Sequence, residues 1–446
     1  MKTPFAILQK IDDDTLTLMV DGEVQKIKHQ LDELKTLLQE KQVQTVQYAD
    51  KIYNIEQIDH ANFGFVTGKK AFNEKLTRSM IEVIHPISIP AQRFSQKVAQ
   101  IPNWENQVRI SDKAKEIIAY SFVGVIGIQL SKLMAIGKED FSETKQRKYI
   151  QKCVQVTNYS LDLINYVLLS TLWDRQKEAS KPLDEQIQKI IALRFENAFA
   201  PSIQERYQLL RCLFTLFDKY QLPLPIEELQ DFDAHLQEGS ALEQTLFQLQ
   251  TLNEKLDRGQ FNLLDCFEAE TQLAGFFQYF AFLVNYNMAS IKQIGYRELR
   301  NDNPLYLHRF NALGIDSKAN VDAERIMGTI DTVQTDAVLF YKGKDYRNSI
   351  NLYPFVIDYN TLMYEYGAKV CFFQSRRLED DSLEFVFLED NSIVNIEQKD
   401  IFQQEIDLGE LMMDDEKRKV FNLNCVVNGF TQAKKEILAE LDLNDL

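Results

Sequence analysis

The stretch Ile117–Ile128, IIAYSFVGVIGI, runs twelve residues without a charge and is followed by Gln129, Ser131 and Lys132. As a helix it would rise about 18 Å, whereas spanning a bilayer core takes about 20 apolar residues. Insertion into a membrane is therefore the poorer reading. Ser111 upstream reads as an N-cap and Gly137 downstream as a C-terminal stop, so the spacing predicts one continuous helix. Apolar on all faces, such a helix belongs at the centre of a helical bundle. Gly124 and Gly127 then mark where a neighbouring helix approaches closely.

Working outward, residues 63–315 read as helical almost throughout. Ser202–Glu205 and Ser240–Glu243 form two capping boxes, each opening an apolar-periodic run. Breaks fall at Pro102, Gly137, Pro182, Pro223, Pro225 and Gly259, with no fixed repeat between them. Ile164, Val167, Leu168 and Leu172, and likewise Leu213, Leu216 and Phe217, are candidate core stripes at helical spacing.

The two ends of the chain differ from this middle. Residues 1–62 read as a small β-β-β-α-β module: strands at Ala6–Ile11, Thr15–Val20 and Glu23–Ile27, a helix marked by Leu31, Leu34 and Leu38, and a strand at Val43–Tyr48. Asp21-Gly22 is a strong two-residue hairpin signal. From residue 316 the period changes again, with strands predicted at Ala337–Tyr341, Ile350–Ile357, Lys369–Gln374, Leu383–Leu388 and Ser392–Ile396, and a last helix at Thr431–Leu441. Pro354 places the second of these at an edge or a bulge, because proline has no N–H for a ladder. The expected fold is α+β and predominantly α-helical: an N-terminal α/β module (1–62), a central helical bundle (63–315) and a β-rich C-terminal region (316–446) closed by a helix. A chain of 446 residues suits two or three such domains.

Composition excludes some functions. A net charge of −16 opposes nucleic acid as the main partner, since phosphates must be neutralised by Lys and Arg. The nearest basic clusters, Lys113–Lys115 and Lys145–Lys152, read as solvated helix faces. The five cysteines (Cys153, Cys212, Cys266, Cys371, Cys425) are widely spaced and mostly set among apolar neighbours, as expected of buried free thiols in a reducing compartment. The N-terminal MKTPFAILQK lacks the apolar run of a signal peptide, and a cytoplasmic location is expected.

Catalytic signatures are sparse. Phe63–Lys70, FGFVTGKK, imitates a phosphate loop, but Gly64 and Gly68 enclose three residues where four are needed, and Lys70 stands where a hydroxyl residue should be. It reads instead as a hinge between the N-terminal module and the helical body. His29, His60, His85, His235 and His308 never occur at paired metal-ligand spacing, and no serine lies in a nucleophile elbow. Neither metal nor cofactor is expected. Asp358 with Glu397 and Lys399 matches the loose pattern of a metal-dependent nuclease. The tract YRELRNDNPLYLHRFNALGID is more unusual. Its Tyr296, Arg297, Arg300, His308 and Arg309 bring cationic and aromatic groups to a turn between two apolar runs. They are suited to gripping an anionic group or a partner's acidic helix, or to pairing with the chain's own carboxylates.

Three stretches, YADKIYNIEQIDHANF (Tyr48–Phe63), YLHRFNALG (Tyr306–Gly314) and INLYPFVIDYNTL (Ile350–Leu362), together resemble segments of bacterial conflict-system proteins. The resemblance implies a role in antiphage defence, with an N-terminal effector-associated adaptor domain and a C-terminal sensor region. The P-loop, caspase-like and nuclease modules common in such proteins are not evident here. The expectation is a non-enzymatic sensor, adaptor or scaffold subunit that binds protein partners, such as a linked effector. The alternatives are an enzyme of unrecognised type, such as a nuclease, and a membrane-disrupting effector.

Overall fold

The computed structural model describes five strands within residues 1–71 and, beyond them, residues 72–140, 142–175, 185–298, 300, 303–314, 324–329, 335–377, 379–399 and 414–439. Two compact units are formed. The first comprises Met1–Glu116, Ser131–Val154 and Thr251–Phe277; the second comprises Ile117–Leu130, Gln155–Gln250 and Gln278–Leu446. Eleven α-helices and fourteen strands are described, and helix predominates, as expected of an α+β, mainly helical fold.

In the first unit, strands β1 (Phe5–Ile11), β2 (Thr15–Val20), β3 (Glu23–Lys28), β4 (Thr45–Tyr48) and β5 (Lys51–Asn54) form one sheet in the order β3-β2-β1-β4-β5. β2 and β3 pair antiparallel, with Val20 opposite Glu23, while Asp21-Gly22 itself lies outside the described residues. Strand β4 joins β1 in parallel and β5 returns antiparallel. β5 was not anticipated, because its connector Ala49-Asp50 carries no strong turn signal. The expected helix at Leu31–Leu38 and the FGFVTGKK hinge lie outside the described residues.

Helix α1 (Glu74–Ile84) buries Leu76, Met80, Ile81 and Ile84, the apolar stripe that its spacing dictates. Helix α2 (Ile89–Val98) is capped by Ser88, whose hydroxyl accepts the Ala91 N–H.

Within Ile117–Ile128, Ile118, Ala119 and Phe122–Gly127 are buried as the composition predicts, while Tyr120 is exposed, and the stretch is not one helix. Helix α3 (Val108–Ser121) ends and α4 (Gly124–Ile136) begins within it. Val123 turns its N–H to Leu283 O (3.3 Å), while its carbonyl accepts the Ile126 and Gly127 N–H groups, both at 2.9 Å. Ser111 is no N-cap but a buried residue inside α3. The neighbour that approaches Gly124 is not a helix either. A Cβ there would lie 1.8 Å from Leu313 O, in the irregular backbone after a strand. Among the described residues no helix is long and apolar enough to cross a membrane.

Helices α5 (Glu143–Arg175), α6 (Glu185–Glu196), α7 (Ile203–Lys219), α8 (Ala241–Asp257) and α9 (Leu263–Phe280) follow. The predicted stripes Ile164, Val167, Leu168 and Leu172, with Leu213, Leu216 and Phe217, are all buried. Ser202 and Glu205 close a reciprocal capping box on α7. On α8, Ser240 accepts the Glu243 N–H, but Glu243 reaches back to the Gly239 N–H, one residue further than expected. Not every basic residue read as solvated is so. Lys145 is buried and donates to Gly137 O (3.0 Å) and Glu139 O (2.6 Å).

Helical structure stops well short of residue 315. Strands β6 (Tyr286–Arg297), β7 (Leu305–Ala312), β8 (Glu324–Thr329), β9 (Val338–Lys342) and β10 (Ile350–Asn351) make an antiparallel sheet ordered β10-β9-β6-β7-β8. A bulge between Ile291 and Gln293 explains the misreading. The extra residue puts Ile291 and Ile294 on one face at a spacing of three, which imitates a helix. A second sheet, ordered β11-β12-β13-β14, holds β11 (Val356–Asp358), β12 (Val370–Arg376), β13 (Leu383–Phe387) and β14 (Ile393–Ile396). The predicted strand Ile350–Ile357 is thus two, and the chain changes sheet at Leu352–Phe355, around Pro354. A short helix α10 (Tyr359–Leu362) follows β11, and the last helix, α11 (Asp415–Ala439), begins sixteen residues before the predicted start at Thr431.

Candidate functional site

The β6–β7 hairpin carries most of the YRELR…YLHRF tract, and its register sorts the candidate residues between two faces. Opposed residues in an antiparallel pair share a face. Tyr296 opposes Tyr306 and Ile294 opposes His308 on the face that continues into the buried cluster of Ile291, Phe310 and Leu339. His308 is fully buried there, and Tyr296 packs its ring 5.5 Å from Tyr306 while bonding Glu298. The opposite face holds Arg297 against Leu305, Gly295 against Leu307, and Gln293 against Arg309; Arg309 also opposes Ile326 of β8. Arg300 is exposed in the connecting turn. The five candidates are therefore not one cluster, and the two arginines stand on a face without either aromatic.

That second face is an open apolar strip edged by cations. Ile326 is 63% exposed and Leu305 38%, and both arginines are exposed beside them. Leu307 sits between Gly295 and Gly328, positions that add no side chain, so the strip is shallow. Arg297, Arg300 and Arg309 make no ion pair among the described residues.

The same face is closed at its other end. Ser290 Oγ lies 3.1 Å from Thr361 Oγ1 of α10, and Lys292 Nζ donates to Asp358 Oδ2 (2.6 Å), Gly367 O (2.7 Å) and the Thr361 hydroxyl. Asp358 accepts in addition from Thr361 and, on Oδ1, from the Lys369 N–H (2.8 Å). All three ammonium protons are used. Burial pushes the nearby Asp336 carboxyl up to about 6, against the pull of Lys292. This network packs α10 on β6 and leaves the outer part of the face bare.

The other candidate chemistry is dispersed. Asp358 is saturated by Lys292, and it opposes Val370 at the start of β12. Glu397 and Lys399 follow β14, whose Ile396 opposes Leu383, itself across from Arg376 at the far end of β12. Six residues of strand, about 20 Å, and two intervening strands separate these groups. No cluster of three or more metal-ligating side chains occurs among the described residues. All five cysteines are free, and burial drives the Cys153, Cys266 and Cys371 thiols well above their usual range, opposite to what a nucleophile needs.

A further polar cluster lies in the first unit. Glu270 Oε1 accepts from the Asn73 N–H (2.7 Å) and the Tyr149 hydroxyl (2.6 Å), while Oε2 is buried without a hydrogen bond among the described residues. Burial raises the carboxyl to about 7, against those two hydrogen bonds. Glu270 is 1% exposed, so it is shut off from a ligand in solution.

Comparison with protein-family models, curated proteins and solved structures finds no match to this chain. The site is read from its own chemistry.

Proposed function

We propose that this protein is a non-enzymatic binding subunit, a sensor or adaptor, whose β6–β8 face docks an acidic amphipathic helix of a partner protein. One observation carries the reading: Arg297 and Arg309 are exposed and free of ion pairs among the described residues, on the face that exposes Leu305 and Ile326. Arginine around an apolar centre is the composition enriched at protein interfaces, and a guanidinium meets carboxylates in paired hydrogen bonds. A helix with leucines at spacings of three and four, flanked by Asp and Glu, complements both features. The resemblance to conflict-system proteins supplies the setting, an antiphage defence assembly.

The test uses a synthetic helical peptide of that pattern and fluorescence anisotropy. Binding should weaken with salt, and Arg297→Glu with Arg309→Glu should weaken it by at least about tenfold, or about 1.4 kcal/mol. Binding indifferent to both salt and the substitutions overturns the docking face. A dimer in light scattering that the same substitutions dissolve places a second copy there instead. Phage challenge of cells carrying the double variant tests the setting: undiminished protection would separate this face from defence.

A further inference from the structure

The second unit holds a cavity of about 400 Å³, within the usual range for small-molecule sites. Its aromatic lining comes from separate elements: Tyr120 at the end of α3, Phe122 at the α3–α4 break, and Tyr341 and Tyr346 on and after β9. Lys344 also lines it and, among the described residues, is the one formally charged side chain that does. In a chain with 66 acidic residues, a cavity whose described lining holds one cation and no carboxylate is set apart electrostatically.

We propose that this cavity binds a planar aromatic molecule bearing a single anionic group, of the size of a nucleoside monophosphate. The walls are held in place before any ligand arrives. Tyr346 packs 4.5 Å from Tyr341 and 5.0 Å from Phe310. The turn that presents Lys344 is tied at both sides, by the Gly343 N–H to Asn285 O and by Asn287 Nδ2 to Gly343 O, each 2.8 Å. Gly343 has φ 59°, which lets the chain reverse there without strain. Gly124, also in the lining, brings helix backbone close against the backbone of Leu313 and Gly314. Tyr120 remains 54% exposed, a large ring that a planar ligand would cover. Lys344 makes no ion pair among the described residues, leaving its charge for the ligand. One ammonium balances one anionic group, which favours a monophosphate or a carboxylate over a polyphosphate.

Calorimetric titration of the full chain distinguishes these sources. The probes are AMP, GMP, CMP and UMP, uncharged adenosine, and indole-3-acetate as the aromatic carboxylate. At least one charged ring should bind, with adenosine about tenfold or more weaker than AMP if the nucleotide is the source. Lys344→Glu and Tyr120→Ala, both at exposed positions, should each weaken binding about tenfold or more without changing the melting temperature. Indole-3-acetate binding alone assigns the site to aromatic acids. No heat from any probe at millimolar concentration overturns the proposal, and so does binding that ignores Lys344→Glu.

Discussion

Two buried carboxylates are handled in opposite ways in this protein. Asp358 lies against a lysine, a threonine hydroxyl and a backbone N–H, with both oxygens satisfied. Glu270 has a tyrosine hydroxyl and one backbone N–H on a single oxygen, and among the described residues no cation contacts it and the other oxygen has no hydrogen-bond partner. The first is an ion-paired lock, and the second a carboxyl that burial pushes up to about 7, a proton store. The difference follows from partners: a full set of donors around a carboxylate holds the anion, while desolvation with too few donors favours the acid. Only the first kind of arrangement shapes the candidate site, because Lys292 and Asp358 settle how far α10 covers β6.

The comparison breaks most readily at Lys292. Lys292→Met should leave a buried carboxylate without its cation and cost about 3–5 kcal/mol in urea unfolding, with part recovered by adding Asp358→Asn. A loss below about 1 kcal/mol would mean that the pair is no lock.

Glu270 should give the next largest effect, and one that depends on pH. Its folded value, about 7, lies above the ordinary 4.5, so protonation stabilises the fold below pH 4.5 and that contribution is lost as pH rises through 7. Glu270→Gln, which cannot ionise, should therefore gain about 2–3 kcal/mol over the native chain at pH 8 and nothing near pH 4. A gain independent of pH would contradict the proton store.

Tyr149→Phe sharpens the same point. It removes a hydroxyl that bonds Glu270 and Asn73, should cost about 1–2 kcal/mol, and should move the titration of Glu270 higher still. The smallest effect belongs to the open face. Arg297→Glu and Arg309→Glu touch no described ion pair and should change stability by less than about 0.5 kcal/mol each, so that any loss of peptide binding is a loss of recognition.

Much of the fold was legible. The stripes on α5 and α7, the box at Ser202–Glu205 and the antiparallel pairing of β2 with β3 are local rules that the structure obeys. Where reading failed, a local signal had two meanings. The spacing of Ile291 and Ile294 is helical in a helix and equally correct across a bulge. Ile350–Ile357 is one apolar run by composition, yet Pro354 falls where the chain leaves one sheet for the other. The candidate site was half legible. Its arginines stood out as a cationic tract, but the strand register that parts Arg297 and Arg309 from Tyr296 and His308 is invisible in a region read as helix.

The amino-acid sequence by itself determined that most of Ile117–Ile128 is buried, because a long uncharged run gains by leaving water, although Tyr120 stays exposed. Tertiary structure alone decided that it breaks at Val123, since that depends on Leu283 O, 160 residues away, and on the backbone at Leu313 pressing against Gly124. Burial follows from composition, which every segment carries with it. A helix end, a face or a cavity follows from what a distant segment brings alongside.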